Sequence, residues 1–376
     1  MSNKIKSKKN LRIAHIHVWD KNNKGDHAIV LAVQELLKDR FKGCRIIDFS
    51  VTILRDGRAS DIKKLNAADL IIIGGGGIFY SYFLPYNLQI ISALTKPIVI
   101  FGAGYIREVG APELKKDFAL SVAALAKKAI LVGVRDYNTK RFLNNNGVTL
   151  SKIKVIGDPA VLLREVKPAK FNIAPPYKKS DRPRSYRAAK ISVPPIRVGF
   201  NLNYSGWLGF GQWRDDILTA YQSVAAYFIK KYGSQAGPGA EIYYLKHHPG
   251  EANIYPALGI KDLRVVDLKP AEQKYVYGQL DLVVGMMLHS GVLAFGAGTP
   301  EISVAYDLRN YSFAEFIKRP ELVISLDKLK NGELLKRVKQ VMAKKDYYHK
   351  LFLSKKAQIN KSQIEFLDKI KKYDSF

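Results

Sequence analysis

Several stretches of this chain place reactive side chains where a strand gives way to a turn or a helix. In the sharpest, the apolar run Leu280-Asp281-Leu282-Val283-Val284 is followed by His289 and then by a small-residue helix opening with Ser290 and Gly291 and closed by Gly298-Thr299-Pro300. Unpaired N–H groups at a helix start attract anions, and imidazole titrates near neutrality, so this is read as an anion site with a titratable group. A second stretch, Tyr243 to Glu251, delivers Lys246, His247 and His248 to one strand end, a set suited to clamping phosphate. No metal is expected there, because adjacent strand residues point apart and no cysteine or HExxH spacing completes a set. Gly25-Asp26-His27-Ala28 opens a helix running toward Arg40, with Asp26 as its expected N-cap. Arg135 and Asp136 stand just past another strand, where they either pair with each other or reach into a crevice.

Glycines mark other strand ends. Gly74 to Gly77 follow Leu70 to Ile73, and Gly102-Ala103-Gly104 follow Pro97 to Phe101. Neither has the G-x-G-x-x-G spacing of a dinucleotide site, so NAD is disfavoured. Four successive glycines cost chain entropy and add no packing, so they are read as ligand-facing. Gly25, Gly75, Gly76 and Gly77 are the expected surface for an acceptor sugar. Gly157-Asp158-Pro159-Ala160 is read as a turn.

What must position these groups is a rhythm of short β-branched runs alternating with helix-length amphipathic segments, the pattern of βαβ units. Strands are predicted at residues 12–18, 45–51, 70–73, 97–101, 130–134 and 154–156, then at 197–202, 242–246, 264–268, 280–284, 302–305 and 322–326. Near-continuous apolar strands suit parallel sheets covered on both faces. The expected fold class is α/β: two doubly wound domains, which bind ligands outside the carboxyl ends of their strands and would share one deep cleft. Residues 1–163 form the first domain and 197–326 the second. A proline-rich, basic stretch at 164–196 reads as linker. Residues 327–376 read as C-terminal helices.

The 376 residues carry 61 Lys and Arg against 33 Asp and Glu, a net charge of +28, so an anionic neighbour is expected. The surplus concentrates in the linker and the tail without a nucleic-acid motif, which argues against a nucleic-acid binder and fits peripheral contact with anionic lipid. No apolar stretch reaches the roughly 18 residues of a spanning helix. The basic start runs into a segment broken by Arg12, His15 and His17, unlike an export signal. A lone cysteine, Cys44, precludes an internal disulfide and fits the cytoplasm, at the inner face of the membrane if lipid is engaged.

Taken in order, Gly25 to Ala28, Gly74 to Gly77, Val134-Arg135-Asp136, Gly157 to Ala160, Leu288-His289, Gly298-Thr299-Pro300 and Ala305-Tyr306-Asp307 are similar to the polysaccharide pyruvyl transferase family, over about residues 12 to 310. The resemblance implies two Rossmann-like domains in a glycosyltransferase-B-like arrangement. It also implies phosphoenolpyruvate as co-substrate, no cofactor, and a hydroxyl pair on a glycan or lipid-linked saccharide as acceptor. The product would be a pyruvate ketal on a cell-surface precursor. On that reading His289 is the acid or a ligand of the donor carboxylate, and Lys246 and His248 bind phosphate. Ser290, Gly291 and Arg135 complete the donor site, and Asp26 orients or deprotonates the acceptor hydroxyl. The family's arginine two residues before the histidine is Met287 here. Lys246-His247-His248-Pro249 is also similar to the Lys-x-His-Pro segment of bacterial sialyltransferases, so the alternative is a glycosyltransferase that uses a sugar nucleotide.

Overall fold

The structure is a computed structural model, and it describes residues 11–171, 173, 195–203, 210–233 and 239–371. The chain divides into two compact units. Unit 1 comprises Met1–Leu163, Asp307–Lys318 and Lys356–Phe376, and unit 2 comprises Arg164–Tyr306 and Arg319–Lys355. The segment read as linker lies mostly outside the described residues.

In unit 1 the strands are β1 (Arg12–His17), β2 (Arg45–Ser50), β3 (Leu70–Ile73), β4 (Ile98–Ala103), β5 (Leu131–Val134) and β6 (Ile153–Val155). They form one parallel sheet in the order β2-β1-β3-β4-β5-β6. The helices between them are α1 (Lys24–Arg40), α2 (Ile53–Asp56), α3 (Ala59–Asn66), α4 (Leu88–Ala93), α5 (Lys116–Lys128) and α6 (Tyr137–Asn145). Every residue of β3 and β4 is buried, as a parallel strand covered on both faces requires. Strand order reverses between β1 and β3. Such a switch point opens a crevice at the carboxyl ends of those two strands, where His17 and the Gly74 to Gly77 run lie.

Unit 2 carries β7 (Ile196–Asn201), β8 (Ala240–Leu245), β9 (Arg264–Val266), β10 (Leu282–Gly285), β11 (Glu301–Ala305) and β12 (Val323–Ser325). These are again parallel, in the order β12-β11-β10-β7-β8-β9. Their switch point falls between β7 and β10, so Asn201 and the segment leading to His289 occupy it. The unit's helices are α7 (Phe210–Tyr232), α8 (Pro270–Tyr277) and α9 (Leu288–Ala297). After them come α10 (Leu308–Phe316), α11 (Glu333–Ala343) and α12 (Lys345–Ile370).

The helices late in the chain are distributed differently from the simple tail read in the sequence. Residues Asp307–Lys318, with α10, belong to unit 1, as does α12 from Lys356 onward. The cause is apolar burial near the end of α12. Phe366 and Leu367 are buried, and the Phe366 ring lies 5.9 Å from Phe101 of β4. Gln363 Nε2 donates to the Ile156 carbonyl at 3.3 Å, and Arg40 of α1 pairs with Asp368. Phe366→Ala is therefore expected to cost about 3–5 kcal/mol of stability, read as a drop in the urea midpoint; a surface-like loss below about 0.5 kcal/mol contradicts this packing.

Candidate active site

The switch point of unit 1 is built on a glycine loop. Gly74 N–H donates to the Ile16 carbonyl and Val18 N–H to the Gly75 carbonyl, both at 3.0 Å, so the loop continues the β1–β3 pairing past the strand ends. Gly76 has φ +95°, and a Cβ there would lie 2.9 Å from Asp26 Oδ1, so only glycine lets the loop close on that carboxylate. Asn23 caps α1, its side chain accepting from the N–H groups of Gly25 and Asp26. This corrects the expected cap. Asp26 sits instead in the first turn, where its carboxylate accepts from the Gly77 N–H.

Two arginines act on that carboxylate. Burial pushes the Asp26 pKa up to about 6, against the opposing pull of Arg309 and Arg135. Arg135 has only 2% of its surface exposed. Its Nε donates to Asp136 Oδ2 at 3.3 Å and its Nη1 lies 3.6 Å from Asp158 Oδ2, so the Arg135–Asp136 pairing foreseen as one option does form. The guanidinium lies so close to the β4 loop that a Cβ at Gly104 would come within 2.3 Å of Nη2. Asp136 also caps α6 through the Thr139 N–H at 2.8 Å, which fixes the arginine's partner to a helix start. Arg309, in the first turn of α10, is held by Asp307 through Nε at 2.9 Å and Nη2 at 2.9 Å. A carboxyl titrating near neutrality beside two permanent cations is suited to exchanging a proton with a hydroxyl next to a bound anion.

In unit 2 the buried Glu251 ties strand ends together. Its carboxylate accepts from the N–H groups of His247 at 2.9 Å and His248 at 2.7 Å. It also accepts from the Tyr244 hydroxyl at 2.8 Å and from Asn201 Nδ2 at 3.2 Å. Asn201 Oδ1 in turn accepts the Met287 N–H at 3.0 Å, which sets the turn into α9. His247 and the Tyr277 hydroxyl are 2.7 Å apart, and that hydroxyl donates to Ser290 Oγ at 3.0 Å.

The residues named from the sequence fall into these two clusters. Gly25, Gly75, Gly76, Gly77, Asp26 and Arg135 belong to unit 1; Lys246, His248, His289, Ser290 and Gly291 belong to unit 2. Helix α9 starts at Leu288, two residues earlier than expected, so His289 lies in its first turn and is buried. Ser290 and Gly291 are correspondingly deeper in the helix. The Ser290 N–H donates to the Met287 carbonyl at 2.9 Å, and Gly291 packs against the Glu301 carboxyl, which a Cβ would approach to 3.0 Å. Burial raises the pKa of Glu301 well above its usual range. Lys246 donates to Asp267 at 2.8 Å, and His248 Nδ1 accepts the Gly250 N–H at 3.1 Å.

Sequence reasoning passed over Arg309, Glu251, Asn201 and Tyr277. Arg309 left a trace, since a cation in a first helical turn opposes the helix dipole and needs an anion such as Asp307 beside it.

The sequence matches the polysaccharide pyruvyl transferase family over residues 23–307. No curated protein matches the chain. Among solved structures, a UDP co-structure of MnaA from S. aureus is similar with TM-score 0.55 and 13% identity, over 91% of this chain and 90% of that one. A putative UDP-N-acetylglucosamine 2-epimerase from Listeria monocytogenes gives 0.54 and 12%, over 91% and 90%. Anabaena HepE in complex with UDP and glucose gives 0.53 and 13%, over 96% and 100%. These likenesses define the class as a glycosyltransferase-B fold of two Rossmann-like domains. Within it, the chain belongs to the polysaccharide pyruvyl transferase family.

The raised Asp26 pKa has a stability consequence with a definite sign. Between its ordinary 3.8 and about 6 the folded chain holds a proton the unfolded chain releases, so this group's contribution falls as pH rises through that window. Relative to wild type, Asp26→Asn is expected to gain roughly 1–3 kcal/mol between pH 4 and pH 7 in urea unfolding. A constant difference across that range rules out the raised value.

Proposed function

We propose that the chain transfers the pyruvyl group of phosphoenolpyruvate to a sugar of a cell-surface polysaccharide precursor, as a ketal. What supports this beyond family membership is the placement of the Asp26 carboxyl at the unit 1 switch point, where it accepts from the Gly77 N–H, is pushed up to about 6 by burial and is acted on by Arg309 and Arg135. The acceptor hydroxyl oxygen bonds to C2 of the enol, its proton passes to the Asp26 carboxylate, and C3 gains a proton to become methyl. A neighbouring hydroxyl then displaces phosphate, losing its own proton, and the ketal closes. The guanidinium groups balance the carboxylate and phosphate charge.

The roles proposed for unit 2 keep to its own cluster. His289 supplies the C3 proton or holds the donor carboxylate, and Lys246 and His248 bind phosphate. No helix among the described residues is long and apolar enough to cross a membrane. The +28 charge is proposed to hold the chain at anionic lipid, where a lipid-linked precursor waits.

A second reading, transfer from a sugar nucleotide, is favoured by the glycosyltransferase-B neighbours, two of them with UDP bound, and by Met287 in place of the family's arginine. Thermal shifts separate the two. Stabilisation by phosphoenolpyruvate and not by UDP or cytidine monophosphate is expected, and the reverse overturns the pyruvyl reading. Phosphate release from phosphoenolpyruvate in the presence of a glycoside panel is expected to fall about 10²-fold or more in Asp26→Asn and in His289→Ala, with the fold retained. A near-normal rate in either removes that residue from the mechanism.

A further inference from the structure

We propose that His15, His17 and Asp48 form a site for one divalent transition-metal ion, distinct from the groups assigned to pyruvyl transfer. His15 and His17 are two residues apart on β1, so their rings share one face of the sheet. Asp48 of β2 stands opposite His15 in the strand register. One ligand atom from each of His15, His17 and Asp48 lies within 4.8 Å of the other two.

The backbone decides which ring atoms face inward. His15 Nε2 is 2.8 Å from the Gly74 carbonyl, and His17 Nδ1 is 2.8 Å from the Val18 carbonyl. A carbonyl only accepts, so each of those nitrogens carries the proton. The inward atoms, Nδ1 of His15 and Nε2 of His17, are the ones that offer a lone pair when the rings are neutral, the form that binds a metal. They lie 3.9 Å and 3.2 Å from Asp48 Oδ1. Three acceptors converge, and His15 Nδ1 is buried with no hydrogen-bond partner among the described residues. A metal ion between them would meet all three at once, whereas a proton on His17 Nε2 would meet only the Asp48 oxygen 3.2 Å away.

Distances and surroundings fit a metal. Bonds of about 2.0–2.2 Å from zinc to nitrogen or oxygen separate tetrahedral ligands by roughly 3.3–3.6 Å, a range that the two histidine-to-Asp48 distances of 3.9 Å and 3.2 Å bracket. Two imidazoles and one carboxylate suit zinc or cobalt better than magnesium or calcium. The carbonyls of Gly74 and Val18 orient the rings as outer partners of metal-binding histidines do, and Gln34 Nε2 donates to Asp48 Oδ1 at 2.6 Å. Trp19 stacks on His17 at 5.4 Å. His17 and Asp48 also line a cavity of about 180 Å³ with Trp19, Lys21, His27 and Gln34, which leaves room for a fourth, exchangeable ligand. Three protein ligands with an open position make a reactive rather than a closed structural site.

The test uses the full chain, stripped with a chelator and titrated with cobalt(II) and with zinc(II). One equivalent of cobalt is expected, with the intense visible absorption of a tetrahedral centre, displaced by zinc. His17→Ala and Asp48→Asn are expected to abolish that band with the far-UV circular dichroism unchanged. Gln34→Ala should weaken binding roughly tenfold or more, and His349→Ala should bind normally. If either ligand variant fails to fold, the band in the Gln34 and His349 variants still decides. Absent binding, or a band surviving in His17→Ala and Asp48→Asn, overturns the proposal. So does an imidazolium at His17 in ring-nitrogen NMR with no metal taken up. Because the readout is metal uptake, its failure leaves the pyruvyl reading standing, and loss of pyruvyl transfer leaves this one.

Discussion

A guanidinium cannot shed its charge at any physiological pH, so burying Arg135 dictates much of what surrounds it in unit 1. Asp136 and Asp158 supply the compensating carboxylates, and each is committed elsewhere as well. Asp136 caps α6, and Asp158 accepts the Ala160 N–H at 2.9 Å at the start of the next turn. Residue 104 has to be glycine because the guanidinium occupies the space a Cβ would need. Burial raises the carboxyl of Asp158 against the lowering pull of Arg135, and the field of the guanidinium also reaches Asp26. Within that field the partly exposed Asp26 balances desolvation against two cations and titrates near neutrality.

The strands were legible because each is a contiguous apolar, β-branched run between helix-length segments, and buried parallel strands leave that trace. Their carboxyl ends therefore located Asp26, Gly74 to Gly77, Arg135 and His289 without knowledge of strand order. Helix starts were harder. Asn23 and Asp26 are both good caps on type, and the choice between them depends on where the chain enters α1. Met287 precedes α9 with extended backbone and no side-chain cap, so nothing in its chemistry announces the helix. Arg309 and Asp48 were invisible for a different reason. Arg309 lies far along the chain from the site it serves, in a segment that sequence order assigns to the other unit. Asp48 stands on β2, an edge strand with much of its surface accessible, where a carboxylate looks like ordinary solvation.

Both sheets place their polar clusters at a switch point, yet they solve the problem of buried polarity in opposite ways. Unit 1 buries a cation and arranges carboxylates around it. Unit 2 buries a carboxylate, Glu251, and satisfies it with N–H and O–H donors drawn from β7, the end of β8 and the following turn. A buried carboxylate met by several donors rigidifies the backbone that carries them, here the segment from Leu245 to Glu251 that presents Lys246 and His248. The sequence signal for such a network is weak, because a glutamate six residues after a strand reads as a surface residue until its partners are known.

That rigidity bears on Met287. Its N–H is held by Asn201 Oδ1, and Asn201 is held by Glu251, so the geometry of the β10–α9 turn is set by main-chain and neighbouring groups. An arginine in the family and a methionine here thus differ in charge and volume on one backbone path. The cation present near the same strand ends, Lys246, is matched by Asp267, whose side chain is half exposed and so screened by solvent. A strongly anionic ligand competes well against a partner screened in that way.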